Sequence, residues 1–313
     1  MWPDRVGRRI KIRQLEVLFA VVECRTMGKA AERLALSQPV ISKTIADLEQ
    51  TLGVRLLDRG PQGAEPTHYG RALLKRSIAI FDELRQSVGE IKFLADPTAG
   101  ELRIACADSM LSGLLPVTIN RLCDRHPRLT FRVTQGLSGA QLYRELRERN
   151  VDLVLGKVAM PLSEPDLEPE VLFEERYVVV AGARSPWQRR RNIKLAELIN
   201  ERWILQPPDD NEGRAQVNEI FHACDLDVPH GAVLSASIQL YDTLVASGKF
   251  LAMVPTSVLR FGPKRPSMKV LPIKLPSIPR PLGIVTLKNR TISPIVQLFI
   301  KCAREISRPL SRN

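Results

Sequence analysis

The chain has 313 residues with 46 Lys and Arg against 34 Asp and Glu, a formal charge of +12, and is 44% hydrophobic and 26% charged. That length fits about two domains with a sizeable core, so neither disulfide nor metal staples are required. No apolar run approaches the ~18 residues of a membrane span, the basic opening lacks a signal core, and five scattered cysteines without a C-x-x-C pair fit a reducing cytoplasm. The expectation is a soluble cytoplasmic protein without a membrane partner.

The charge is uneven along the chain. Residues 1–76 carry 14 basic and 8 acidic side chains, residues 77–259 carry 20 and 25, and residues 260–313 carry 12 basic ones against Glu305 alone. A basic head on an acidic middle points to a nucleic-acid module joined to something else, although a solvated basic surface gives the same counts. The basic end fits a solvated face, a contact to DNA or an acidic partner surface.

In chain order, Leu15, Leu18, Phe19 and Val22 recur at helical spacing and predict a helix over 13–24. Thr26 or Gly28 opens a second helix with Ala30, Ala31 and Leu34 inward. Ser37 is placed to cap a third, with Pro39 in its first turn and Ile41, Ile45, Leu48 and Leu52 inward; Gly53 stops it. Gln38, Pro39, Ser42 and Lys43 then face away from the apolar stripe. In a helix-turn-helix that end of the second motif helix meets base edges in the major groove. Gln suits adenine, Lys guanine or phosphate, Ser several partners, and a proline ring a thymine methyl. Plain three-helix bundles share the pattern, so periodicity alone leaves both open.

The residues carry a resemblance as well. Residues 15–19 (LEVLF), 30–34 (AAERL), 37–48 (SQPVISKTIADL), Glu49, Gly53, 56–59 (LLDR) and 66–70 (PTHYG) look like the winged helix-turn-helix of LysR-type transcriptional regulators. The resemblance places Ser37, Gln38, Pro39, Ser42 and Lys43 on the recognition helix. It places Arg59 on a wing arginine that enters a minor groove, and Thr67 on the residue closing the wing. Lys43 stands where the family usually has arginine, which exchanges a bidentate contact for a single-point one. Gln62 stands where a second wing arginine is common.

Residues 71–95 hold no proline and place Leu74, Ile78, Phe81, Leu84, Val88, Ile91 and Ala95 at a mean spacing of about 3.5, the period of a coiled-coil seam. That reads as a dimerisation helix, or as a helix lying on the next domain. Residues 96–100 (DPTAG) break it. Beyond, strands are expected over 102–107, 129–134, 151–156, 177–181, 203–205, 250–254 and 283–287. Helices are expected over 111–126, 139–149, 195–199, 213–223, 237–247 and 294–306. The opening alternation argues for a parallel sheet with right-handed crossovers, and the whole for two α/β lobes of the periplasmic-binding-protein type. Residues 100–104 (GELRI), 115–116, 126–127, 145–156 with Asp152, and 251–255 resemble the same family's effector domain. The second half is also similar to a branch including regulators of sugar-binding-protein genes.

The expected architecture is α and α/β. A winged helix-turn-helix spans 1–70, a linker helix 71–96 and an effector-binding domain 97–313, with lobe I over about 97–181 and 282–306 and lobe II over about 182–281. Ligands in such folds sit beyond strand ends, between lobes. The candidate cleft residues are Asp108, Ser109, Met110, Gly136, Leu137 and Ser138 on one lobe and Gln206, Pro207 and Ser237 on the other. Helix starts at Ser109 and Ser138 suit a carboxylate or a sugar hydroxyl.

No catalytic residues, metal site or cofactor are expected. The four histidines lack metal-ligand spacing, phosphate-loop and nucleophile-elbow motifs are missing, and Asp108 has no companion nucleophile. Cys106 and Cys123 read as buried inert thiols more readily than as a redox switch. The expected function is a bacterial, sequence-specific transcription regulator, not an enzyme. Its expected partners are promoter DNA, a small-molecule effector, further copies of itself through the linker helix and effector domain, and RNA polymerase. Two rivals stand beside it: a non-specific architectural DNA-binding protein, whose affinity would follow phosphate neutralisation, and a metabolite-binding enzyme.

Overall fold

The computed structural model describes residues 9–60, 63–136, 138–158, 164–208, 212–262 and 264–308, apart from the side chains of Arg59 and Glu212. These divide into two compact units, residues 1–85 and 86–313.

In the first unit, α1 (Ile12–Cys24), α2 (Met27–Leu34) and α3 (Gln38–Leu52) precede an antiparallel wing of β1 (Leu57–Gly60) and β2 (Gly63–Pro66) and the start of α4 (His68–Ala95). The apolar stripes read from the sequence converge, with Leu18, Val21, Ala30, Ile41, Ile45 and Leu48 fully buried. Leu73, Leu74 and Phe81 of α4 pack on them, and the Phe81 ring meets Phe19 edge-on at 6.4 Å between centroids. Each such burial contributes roughly 1.5–3 kcal/mol, which holds helices too short to persist alone. Thr26 caps α2 by accepting from Lys29 N at 3.3 Å. Arg25 and Ala35, at φ 60° and 53°, turn the chain after α1 and α2, a left-handed conformation that costs a side-chain-bearing residue about 1–2 kcal/mol.

The second unit is built on two five-stranded sheets. Its elements in chain order are β3 (Ala99–Cys106), α5 (Asp108–Leu111), α6 (Leu114–Arg125), β4 (Arg128–Gln135), α7 (Gly139–Arg147), β5 (Leu153–Lys157), β6 (Leu167–Glu175), β7 (Tyr177–Ala181), β8 (Trp203–Leu205), α8 (Glu212–His222), β9 (Gly231–Leu234), α9 (Ile238–Ala246), β10 (Leu251–Pro255), α10 (Thr256–Phe261), β11 (Lys269–Val270), β12 (Arg280–Leu287) and α11 (Pro294–Ser307). The first sheet runs β4-β3-β5-β12-β6 and the second β11-β7-β10-β8-β9.

Two expected bounds are corrected here. The first sheet holds the expected parallel set β4-β3-β5 and adds β12, which runs antiparallel to both β5 and β6. The reason is that β6 carries the chain out to the other lobe and β12 brings it back beside it. Residues 177–181, expected to close lobe I, belong instead to the second sheet, where Val178 pairs with Val254; the change of lobe falls at Arg176. The helix expected over 111–126 is α6, which starts only at Leu114, and the short α5 precedes it. Strands β6 and β9, not expected from the sequence, complete the sheets as edges.

One ionic knot holds the first sheet to its return segment. The buried Asp152 carboxylate accepts from Arg103 Nη2 at 2.6 Å and Arg290 Nη2 at 2.7 Å. The two guanidiniums also donate to Arg149 O and Val151 O. Burial alone would raise the Asp152 pKa, but the hydrogen bonds and charges of Arg103 and Arg290 outweigh it and hold the carboxyl below its ordinary range.

Candidate DNA-reading face and ligand cleft

On the first unit, burial of Ile41, Ile45 and Leu48 turns the other face of α3 outward. Ser37, Gln38, Pro39 and Lys43 are exposed and Ser42 is half-buried. Ser37 occupies the cap position, but its hydroxyl makes no capping bond. The face therefore offers an amide, an ammonium, two hydroxyls and a pyrrolidine ring at one helix end, the groups that read base edges. Val40, 45% exposed on the same turn, was not singled out in the sequence, although it falls off the 41/45/48/52 stripe and that spacing is the signal; it suits a thymine methyl.

The wing is positioned by backbone-directed bonds. Glu49 Oε1 accepts from Leu56 N at 2.7 Å and Leu57 N at 3.2 Å, and Ala64 N donates to Arg25 O at 2.7 Å. Thr67 Oγ1 donates to Arg55 O at 2.8 Å and accepts from Gly70 N at 3.1 Å, so it joins the wing to α4. Gly70 is required by close approach, since a Cβ there would lie 2.1 Å from Leu56 O. Arg59 lies in β1; its side chain and Gln62 lie outside the described residues. Along α4, Ile80, Leu84, Val88, Ile91 and Leu94 are exposed, the last two at 67% and 72%.

On the second unit, a cavity of about 70 Å³ lies between the lobes. Asp108, Ser109, Gly136, Ser138 and Gln206 line it together with Gln135, Tyr143, Lys157, Gly213 and Ile238. Met110 does not: α5 turns it into the core, where it is fully buried. Pro207 is half-buried off the lining, and Ser237 sits behind it as the cap of α9, accepting from Leu240 N at 3.3 Å. Leu137 lies outside the described residues.

Two contacts bridge the lobes across this cavity. Asp108 Oδ2 accepts from Ile238 N at 2.7 Å while its Oδ1 accepts from Gln135 Nε2 at 3.2 Å. Lys157 Nζ donates to Gln216 Oε1 at 2.9 Å, and Gln216 Nε2 donates to Ile278 O at 2.7 Å. Ser138 caps α7 by accepting from Gln141 N at 3.3 Å. Lys157 and Gln135 were missed although each directly follows an expected strand, 151–156 and 129–134; applying the strand-end rule to the first residue after each strand, β5 included, would have found them. Cys106, beside Asp108, is fully buried; burial and then the Asp108 charge push its thiol up to about 12. Among the described residues, no cluster of His, Cys, Asp or Glu is arranged to hold a metal ion, and no helix is long and apolar enough to cross a membrane.

A winged helix-turn-helix and a two-lobed clamp with an interlobe cavity define a DNA-binding protein that carries a small-molecule-binding domain. Residues 12–71 match the model of the bacterial regulatory helix-turn-helix protein, lysR family, and residues 95–308 match that of the LysR substrate binding domain. The chain belongs to the LysR family: it is a DNA-binding transcription regulator with an effector-binding domain. It is 26% identical over 300 residues to the uncharacterized HTH-type transcriptional regulator YdcI of Escherichia coli K12, covering 96% of each chain. To the HTH-type transcriptional regulator GbpR of Azospirillum brasilense it is 27% identical over 300 residues, covering 96% of this chain and 87% of that one. Its fold is shared with full-length CbnR complexed with target DNA, at TM-score 0.65 and 23% identity over 95% of this chain and 99% of that one.

Proposed function

We propose that the chain acts as a homo-oligomer whose paired heads read a promoter and whose clamp sets their spacing through a bound effector. In this reading Gln38, Pro39, Ser42 and Lys43, with Ser37 at the helix start, enter a major groove. Arg59 reaches a minor groove from the wing, and Thr67 holds that wing in register. Two copies pair along the exposed apolar stripe of α4 and through the clamp. The heads then occupy two half-sites about one DNA turn apart. The effector sits among Asp108, Ser109, Gly136, Ser138 and Gln206 and shifts the balance of clamp arrangements only as far as it prefers one of them. The domains divide at about residues 70 and 96; the protein works in the cytoplasm, meets RNA polymerase at the promoter and performs no catalysis.

The observation that carries this reading is the outward polar face at the start of α3, above three fully buried residues of the same helix. Capture of sheared genomic DNA by the purified protein at near-physiological salt tests it. Sharp peaks with paired inverted half-sites are expected, and flat, salt-sensitive coverage with or without cell extract would favour an architectural protein. Lys43→Ala should cost about 1–1.5 kcal/mol at the captured site, as for one lost hydrogen bond, and much less on unrelated DNA. Equal losses on both would reduce Lys43 to a phosphate contact.

A further inference from the structure

We propose that the interlobe cleft takes a small ligand through the ligand's own hydrogen-bond donors, hydroxyl or amine, and not through a carboxylate. The proposal rests on the cleft being the effector site and goes further by naming the chemistry it recognises. Several of the groups that would hold an anion already bond within the chain. Ile238 N, at the start of α9, donates to Asp108 at 2.7 Å, and Leu240 N to Ser237 Oγ at 3.3 Å. Gln141 N in α7 donates to Ser138 Oγ at 3.3 Å, and Lys157 Nζ to Gln216 Oε1 at 2.9 Å. In effect Asp108 is the anion of this clamp, and a second carboxylate beside it would meet like charge.

The unmet demand is of the opposite kind. Gln206 Oε1 is buried without a hydrogen-bond partner, and its residue lines the cavity. Buried acceptors in folded proteins are normally paired. Gly213 leaves the room this oxygen occupies, since a Cβ there would fall 1.9 Å from Gln206 Oε1. Asp108 adds capacity, because a carboxylate accepts about four bonds and Gln135 and Ile238 supply one each. The cleft thus presents acceptors from both lobes, Asp108 from one and Gln206 from the other. A ligand with two donors joins them and replaces the direct bridge from Asp108 to Ile238 as the lobes separate.

Thermal unfolding of the full-length protein with three probe sets tests this: hexoses and linear polyols, primary amines and amino alcohols, and short carboxylates without hydroxyl or amino groups. A member of the first two sets should raise the Tm and the third set should not. Gln206→Met should weaken that ligand about tenfold, as expected for loss of one buried hydrogen bond. Gln206→Glu, which only accepts, should tighten an amine and leave a polyol little changed, which separates the two sources of donor. Without ligand, Gln206→Met should raise the Tm, because an unpaired buried acceptor has been removed. Stabilisation by carboxylates alone, or by no hydroxyl or amine probe, overturns the ligand class while the cleft stands. A donor ligand that binds Ser109→Trp as well as the parent protein overturns the cleft as the site.

Discussion

The head and the clamp expose their working residues in opposite ways. On α3 the side chains of Ser37, Gln38 and Lys43 project into solvent, and the Ser37 hydroxyl makes no capping bond. In the cleft the charged groups are already bonded, Asp108 to two partners and Lys157 to Gln216, while Gln206 Oε1 is not. The difference follows from what each must meet. DNA arrives as a large, hydrated, charged surface, so its reader keeps side chains in water, where their exposure costs nothing. A small ligand must be enclosed, and a closed cleft without it has to satisfy buried polar groups internally. The head's specificity is therefore carried by what it displays, and the clamp's by which internal bonds a ligand can replace.

That contrast can be broken at three places. The largest expected effect is in the clamp's frame: Asp152→Asn leaves Arg103 and Arg290 without their anion and should cost about 3–5 kcal/mol, the penalty for breaking a buried ion pair. Urea unfolding should show the loss in the clamp transition alone. Because the Asp152 pKa is depressed, its contribution is complete above the ordinary carboxylate range near 3.9 and is lost as pH falls through the lower folded-state value. The asparagine variant should accordingly flatten the acid side of the clamp's stability profile; an unchanged slope would assign that slope to other carboxylates.

A second substitution strikes the head. Gly70→Val forces a Cβ against Leu56 O and should cost about 1–3 kcal/mol, as overpacking does. It should disturb the wing while the response of the clamp to ligand persists, measured by DNA binding and ligand-induced Tm shift on the same protein. The smallest effect is expected at Asp108→Ala, which removes one interlobe bridge for about 1 kcal/mol yet should visibly widen the solution-scattering profile of the clamp. An unchanged profile would show that the remaining interlobe bonds, Lys157 to Gln216 and Arg280 to Glu219 among them, hold the lobes without Asp108.

The head was almost fully legible in the sequence because its code is local. Leu15 to Val22 and Ile41 to Leu52 follow the helical period, and Thr26 and Gly53 mark ends that short-range chemistry fixes. The clamp was legible where strands are buried on both faces, as in β7 and β8. It was not at β6, where Glu168, Glu170 and Glu174 hide the strand: an edge strand bonds on one side only, to β12, and tolerates charge on the other. Lining residues such as Ile238 and Gly213 were illegible for a different reason. They reach the cavity through the pairing of two lobes far apart in sequence, which no local pattern encodes. Met110 shows the converse, since a strand-end position is polar or apolar according to which way a four-residue helix turns.

Cys106 adds a consequence for signalling. With its thiol pushed up to about 12, only on the order of one molecule in 10⁵ carries the reactive thiolate at neutral pH. Peroxides and electrophiles attack the thiolate, so the sulfur two residues before Asp108 is a poor target for them, and oxidants should leave the clamp undisturbed at that position.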